Sequence, residues 1–169
     1  RGGLKTDELN TEECFRVIDQ IAEVNPNAFL ILTGGEPLLR PDIYEIIRYA
    51  ADKKFMVVLG TNGTMINRVN AEKIKAAGAH GVGISIDSMN PDKHNKFRGV
   101  DKAWELSMDA FDILNEVGVD FLVQTSVSDM NYKEIPEVVE FTEKIGAIAF
   151  NLYFLVCTGR GQGNTDISN

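Results

Sequence analysis

Apolar and polar residues recur along this chain in two alternating patterns. Residues 11–24, TEECFRVIDQIAEV, place apolar side chains three or four positions apart, which is the spacing of one helix face. Residues 28–33, AFLILT, form a continuous apolar run, which is typical of a strand covered on both faces. Helical spacing and apolar runs then follow one another to the end of the chain, so each helix is expected to precede a strand.

The same two patterns predict the other elements. Further helices are predicted over 41–53, 68–78, 101–118 and 132–146. Further strands are predicted over 55–63, 81–88, 120–128 and 147–156, the first of them ending in a turn. Thr11 is the expected N-cap of the first helix, and Pro41 is expected in the first turn of the second. Such helix–strand alternation predicts a parallel sheet with right-handed crossover connections.

Polar or glycine-rich residues follow the carboxyl end of every predicted strand: TGGEP, TNG, SIDS, QTSVSDMN and CTGRGQG. Parallel α/β sheets bind their ligands at that edge. An open doubly wound sheet would concentrate this chemistry near one switch point, whereas a barrel shares one mouth among all its strands. The distribution therefore favours part of a (β/α) barrel. No G-x-G-x-x-G motif opens a helix after a strand, which argues against a dinucleotide site.

Composition limits the class of partner and the compartment. The 169 residues are 44% hydrophobic and 25% charged, as in an ordinary globular domain. The net charge of −8 argues against nucleic acid or an anionic membrane as the main partner. No apolar run approaches the roughly 20 residues of a membrane span. Cys14 and Cys157 lie far apart and form no disulfide framework or local metal motif, so we expect a cytoplasmic protein.

The strand-end motifs, taken in order, resemble the core of the radical SAM enzymes. GGEP follows one strand, TNG the next, and SIDS and then HNKFRG the third. The resemblance covers nearly the whole chain. It implies an α/β fold, a partial (β/α)6 TIM-like barrel of parallel strands over 1–157, which holds S-adenosylmethionine and a [4Fe-4S] cluster. The ending YFLVCTGRG is similar to the branch that acts on haem-type tetrapyrroles and in cofactor or peptide maturation, so 158–169 is expected to be a flexible tail or a linker to a missing C-terminal domain.

One departure from the family pattern concerns the cluster. The family ligates its cluster with three cysteines in a C-x3-C-x2-C loop that follows the first strand and precedes the first helix, and this chain has no such motif. The chain begins without Met, just before such a helix. We therefore expect a fragment from which the first strand and the cluster loop are absent, and which is inactive alone. A degenerate homologue without a cluster is the other account.

The resemblance assigns a cofactor role to the first two motifs. In GGEP, Gly34 and Gly35 let the backbone approach the methionine end of S-adenosylmethionine, because they carry no Cβ. Glu36 adds negative charge near the methionine ammonium, and Pro37 fixes the direction of the exit. Thr61 and Asn62 of TNG are expected to bond across the mouth to the GGEP backbone or to the ligand, unless they form only a turn.

The later motifs supply further expected contacts. Alternation places Ser85 and Asp87 on one face of their strand. The resemblance makes Ser85 a ribose or carboxylate contact, Asp87 a ribose contact or a partner of Arg98, and Arg98 the partner of the methionine carboxylate. Ser126 and Val127 are expected polar and adenine contacts, although the sequence leaves open which face of that strand points inward. No catalytic or metal-ligating side chain is assigned; His80 is expected to be structural, and His94 a support of its loop.

The mechanism implied by the resemblance is one-electron chemistry. The reduced cluster cleaves S-adenosylmethionine to methionine and a 5′-deoxyadenosyl radical, which abstracts hydrogen from a small-molecule or peptide substrate. An electron donor such as ferredoxin or flavodoxin is the implied protein partner, and no nucleic acid or membrane partner is expected. Two alternatives stay open: an enzyme of another class, either a phosphate-binding (β/α) barrel or a doubly wound oxidoreductase, and a non-catalytic homologue that still binds S-adenosylmethionine.

Overall fold

A computed structural model describes residues 8–154, in which one helix precedes a parallel sheet and five helices lie on the connections between its strands. The strands are β1 (Phe29–Leu32), β2 (Met56–Thr61), β3 (Gly81–Ser85), β4 (Phe121–Val127) and β5 (Ala149–Phe154). The helices are α1 (Thr11–Val24), α2 (Ile43–Asp52), α3 (Arg68–Ala76), α4 (Pro91–Arg98), α5 (Ala103–Val117) and α6 (Ile135–Lys144). Short 3-10 turns lie at Pro37–Leu39 and Tyr132–Glu134.

The strands lie side by side in their order along the chain, β1-β2-β3-β4-β5, and every pair is parallel. A doubly wound sheet would reverse this order at its switch point, so that alternative is wrong. Because the crossover connections all have the same handedness, their helices lie on one side of the sheet. The sheet therefore curls into a half-barrel with the helices outside, and this confirms the predicted partial barrel. The tail at 158–169 and Cys157 lie outside the described residues.

Several predicted boundaries need correction. Asn10, not Thr11, caps α1, since its side chain accepts from Glu13 N while the Glu13 carboxylate accepts from Asn10 N. Helix α2 begins two residues after Pro41, with Asp42 as its N-cap. The segment that contains Arg98 was expected to be a loop but is helix α4. Its sequence PDKHNKFR lacks an apolar stripe and buries only His94, so hydrophobic periodicity could not detect it.

The apolar core fills the space between the sheet and its outer helices. Alternate strand residues, such as Val57 and Leu59 of β2 or Ile84 of β3, are fully buried in this layer. Phe111 of α5 packs against Phe121 of β4 with ring centroids 5.1 Å apart. The other strand residues face the inside of the half-barrel. The functional side chains must therefore lie on that inner face or at the edge where the strands end, which we call the mouth.

Candidate functional site

Glu36 joins the end of β1 to the end of β2 across the mouth. Its Oε1 accepts from Thr61 Oγ1 at 2.7 Å and from Leu38 N at 3.1 Å, and its Oε2 accepts from Asn62 N at 3.0 Å. Thr61 and Asn62 do reach across the mouth, but to the Glu36 carboxylate and not to the GGEP backbone. The carboxylate is only half-buried, so its negative charge still acts on the space above the strand ends.

Gly34 and Gly35 are exposed, and nothing in the fold requires them to lack a side chain. A Cβ built on either would meet no heavy atom within 4 Å, and neither has a positive φ. Packing and backbone conformation therefore do not explain the pair. Pro37, in contrast, is buried and starts the 3-10 turn that follows. The two glycines leave bare backbone beside the Glu36 carboxylate, where a ligand can come within contact distance.

Asp87 and Arg98 form the ion pair of the mouth. Arg98, in the last turn of α4, places Nη2 2.5 Å from Asp87 Oδ2. Asp87 is fully buried, whereas 24% of the Arg98 side chain is exposed. Burial raises the pKa of Asp87, although the Arg98 charge and the Ser126 N–H oppose this shift. The guanidinium therefore pairs with a buried carboxylate while part of the Arg98 side chain stays exposed.

A buried network surrounds Asp87. Its Oδ1 accepts from Ser126 N at 2.9 Å, its N–H donates to His94 Nδ1 at 3.2 Å, and its carbonyl accepts from Asn131 Nδ2 at 2.7 Å. Burial and the neighbouring Arg98 charge lower the pKa of His94 to about 4, so the imidazole is neutral near pH 7. Nδ1 is the acceptor in this arrangement, which places the proton on Nε2. The network joins the ends of β3 and β4 to helix α4.

The inner face of the sheet is polar on β4 and bare on β3. Ile84 and Ile86 lie in the core, so Ser85 between them points inward, as the alternation predicts. On β4, Gln124 and Ser126 share the inner face, which the sequence could not decide. A Cβ at Gly83 would come within 2.9 Å of Gln124 Nε2, so this glycine makes room for the amide to lie across β3.

Some expected contacts lie elsewhere. Val127 is buried and alternates with Ser126, so it lies on the side of the sheet that Phe121 and Val123 occupy. This orientation argues against the adenine contact expected of Val127, because that side faces the helices. His80 Nδ1 accepts from Val57 N at 3.3 Å, a contact within the protein like the structural role expected of His80. Asn131 was not predicted. Its only sequence signal is its place in the short segment SDMN that follows β4.

The described residues do not supply an iron–sulfur site. Within 8–154, no group of three or more His, Cys, Asp or Glu side chains is placed to hold a metal ion. Cys14 is half-buried on helix α1 and is the described free cysteine. A [4Fe-4S] cluster takes thiolate ligands, so these residues do not fit one. In the same part of the chain, no helix has the length and apolar character that crossing a membrane requires.

The same residues do fit S-adenosylmethionine. This molecule combines a carboxylate with an ammonium and a sulfonium, so it needs a cationic fork beside anionic or carbonyl acceptors. Arg98 supplies the fork, and its Nε is buried without a hydrogen-bond partner. Glu36 and the bare backbone at Gly34 and Gly35 supply the acceptors. The mouth therefore offers complementary charges at two separate positions.

Comparison with known proteins agrees with this chemistry. The model of the radical SAM superfamily matches residues 1–142. The AdoMet-dependent heme synthase of Methanosarcina barkeri is 40% identical over 161 residues, which cover 95% of this chain and 46% of that protein. The pre-heme d1 synthase of Dinoroseobacter shibae is 31% identical over 157 residues, which cover 93% of this chain and 38% of that protein. The chain thus spans less than half the length of these relatives.

Solved structures show the same architecture. This chain superposes on the crystal structure of Streptococcus suis SuiB bound to S-adenosylmethionine with a TM-score of 0.82. The superposition covers 99% of this chain and 39% of the SuiB chain. Its sequence identity is 16%, so this likeness concerns the fold alone. The family assignment comes from the sequence match, which extends over most of the chain and confirms the resemblance drawn from GGEP, TNG and SIDS. The chain belongs to the radical SAM superfamily.

Proposed function

We propose that this chain is the S-adenosylmethionine-binding core of a radical SAM enzyme. The observation that carries the proposal is the mouth itself. There the Asp87–Arg98 pair lies beside the Glu36 clamp, which is the Glu36 carboxylate with its bonds to Thr61 and Asn62, at the ends of neighbouring parallel strands. When bound here, S-adenosylmethionine would supply the one-electron chemistry of this superfamily, with a [4Fe-4S] cluster as the source of the electron. The cluster ligands would come from residues outside 8–154, because the described residues do not fit that role.

Arg98 is the proposed partner of the methionine carboxylate. A guanidinium matches a carboxylate with two parallel hydrogen bonds, and the pair with Asp87 fixes the plane of this fork. Ser85 and Ser126 lie on the inner face beside the same strand ends, where hydroxyls suit the ribose or the carboxylate. Ser85 is half-buried, so its hydroxyl can be reached from the half-barrel.

Glu36 has two proposed roles. Its hydrogen bonds to Thr61 and Asn62 hold the loop after β1 against the end of β2. The remaining charge of the carboxylate favours the methionine ammonium, which approaches along the exposed backbone of Gly34 and Gly35. Thr61 and Asn62 would then act through Glu36 and not by touching the cofactor.

The proposed substrate is a tetrapyrrole or a peptide that is modified during cofactor or peptide maturation. The names of two sequence relatives, a heme synthase and a pre-heme d1 synthase, support the tetrapyrrole class. The peptide class rests on the ending YFLVCTGRG, which is similar to the branch that includes peptide maturation. The inner face of the half-barrel offers neutral hydrogen-bonding groups to such a substrate. Gln124 and Asn151 lie at paired positions of β4 and β5, and Tyr153 Oη is 3.4 Å from Gln124 Nε2. An electron donor such as ferredoxin or flavodoxin is the proposed protein partner.

The proposal is tested on the complete gene product, purified without oxygen and reconstituted with iron and sulfide. We expect 5′-deoxyadenosine to form from S-adenosylmethionine after reduction, and formation to fall about tenfold or more in Arg98→Ala and Glu36→Ala, which each remove a charged contact. Arg68→Ala is the matched control, because it removes another Arg–carboxylate pair, with Glu116 on the outer helices. Absence of 5′-deoxyadenosine from the parent, with S-adenosylmethionine still bound, would favour a non-catalytic binding protein.

A further inference from the structure

We propose that Asn131 is a positioning residue for Arg98, acting through Asp87, so that the cofactor carboxylate is recognised only while Asn131 holds the ends of β3 and β4 together. The inference rests on the proposed carboxylate contact of Arg98. Asn131 lies in the turn after β4, contacts the backbone of Asp87 but not its carboxylate, and is 1% exposed.

The Asn131 side chain makes three hydrogen bonds within the protein. Nδ2 donates to Asp87 O at 2.7 Å and to Ser126 O at 2.9 Å, while Oδ1 accepts from Ser128 N at 2.9 Å. The contact with Ser128 is an ordinary turn interaction, which many asparagines make. The contact with Asp87 is not local, because it joins positions 44 residues apart that follow the ends of different strands. Asn131 therefore connects the two strand ends at the mouth.

The consequence for Asp87 is that protein groups occupy all but one of its polar atoms. Its N–H donates to His94, its carbonyl accepts from Asn131, and its Oδ1 accepts from the Ser126 N–H. Only Oδ2 remains, and this oxygen faces Arg98. Because Asp87 is fully buried, the carboxylate has no solvent-exposed orientation to adopt instead. The position of Oδ2, and hence that of the guanidinium, depends on these backbone anchors.

Removal of the Asn131 amide leaves the buried carbonyl of Asp87 and the partly buried carbonyl of Ser126 without this donor. Such groups reorient or admit water to regain a partner. The Asp87 carboxylate then moves with its backbone, and the Arg98 fork loses its fixed plane. The adenosine part of the cofactor does not depend on that fork, so the expected defect is confined to recognition of the carboxylate.

The test compares two ligands by equilibrium dialysis on the complete reconstituted gene product: S-adenosylmethionine and decarboxylated S-adenosylmethionine. We expect Asn131→Ala to weaken binding of the first about tenfold and of the second less than about twofold, which is the effect of losing one charge-assisted contact. Asn131→Asp, which keeps the shape and the Oδ1 acceptor, should act in the same direction. Thr142→Val is the control for stability, since it removes another buried side-chain donor, in helix α6.

A double variant separates positioning from general destabilisation. If Asn131 acts through Arg98, Asn131→Ala has no further effect on either affinity in an Arg98→Ala background. Equal weakening of both ligands, a persistent effect in that background, or no effect of either Asn131 variant overturns the inference. If Arg98→Ala itself leaves the ratio of the two affinities unchanged, the proposed carboxylate contact is wrong and the inference falls with it. The 5′-deoxyadenosine assay reports separately on whether the protein is a radical SAM enzyme.

Discussion

The buried imidazole of His94 should make stability depend on pH in a defined window. Its pKa falls from 6.5 to about 4, chiefly because burial disfavours the charged ring and secondly because Arg98 is close, while Glu105 acts in the opposite direction. Between these pH values, the His94 side chain therefore binds more protons in the unfolded chain than in the folded protein. Stability contributed by the neutral ring is complete above about pH 6.5 and is lost as the pH falls toward 4.

The size of the effect follows from the shift. One pKa unit corresponds to about 1.4 kcal/mol, so the full difference is roughly 3 kcal/mol. Between about pH 7.5 and about pH 5, His94 should reduce the free energy of unfolding by about 2 kcal/mol. Asp87 contributes with the opposite sign, because its pKa is raised in the folded protein and its protonation stabilises the fold as the pH falls. The His94 contribution must therefore be measured as a difference between two proteins.

The comparison uses the parent and His94→Asn, whose side-chain oxygen can still accept from the Asp87 N–H. Urea unfolding of each at the two pH values should show that the variant loses about 2 kcal/mol less than the parent on acidification. NMR of protein labelled at histidine Cε1 measures the pKa directly, and the resonance missing from His94→Asn assigns the signal. A His94 resonance that titrates near 6.5 would refute the burial argument, as would parallel pH profiles for the two proteins.

Two further changes test the clamp and the inner face. Glu36→Gln should lower the free energy of unfolding by roughly 1 to 3 kcal/mol, because Oε2 no longer accepts from Asn62 N. Urea unfolding measures this loss beside that of the surface variant Glu116→Gln, and equal losses in the two variants would contradict the prediction. Gly83→Ala should displace the Gln124 amide from β3, with little change in S-adenosylmethionine affinity because the amide faces the proposed substrate. Dialysis measures the affinity and a crystal structure of the variant shows the amide, which would contradict the prediction if it had not moved.

The fold could be predicted well because its strongest signal is periodic. Continuous apolar strands and amphipathic helices of ordinary length leave few arrangements, and glycine or polar residues at every strand end favour a shared mouth. Helix α4 was missed because it has no apolar periodicity, since the one residue that it buries is the polar His94. Its proline at the start and its left-handed Gly99 at the end were the available signals.

The sequence could predict which residues lie near one another in the site, but not the contacts between them. Parallel strands bring Glu36, Thr61, Asp87 and Ser126 to one edge, so their proximity follows from the topology. Which atoms meet depends on side-chain rotamers and loop paths that the sequence does not encode locally. The Glu36 carboxylate was therefore expected to face a ligand, whereas it also accepts three hydrogen bonds from the protein. The role of Asn131 was hidden because its important partner lies 44 residues away.

The Asp87–Arg98 pair is better explained by binding than by stability. Removing a carboxylate fully from water costs several kcal/mol, which an ion pair often fails to recover. We therefore expect Asp87→Asn combined with Arg98→Leu, which keeps an acceptor for Ser126 N, to change the free energy of unfolding by less than about 1 kcal/mol. The same double variant should bind S-adenosylmethionine at least about tenfold more weakly in dialysis. A loss of stability of about 3 kcal/mol or more would show instead that the fold itself needs the pair.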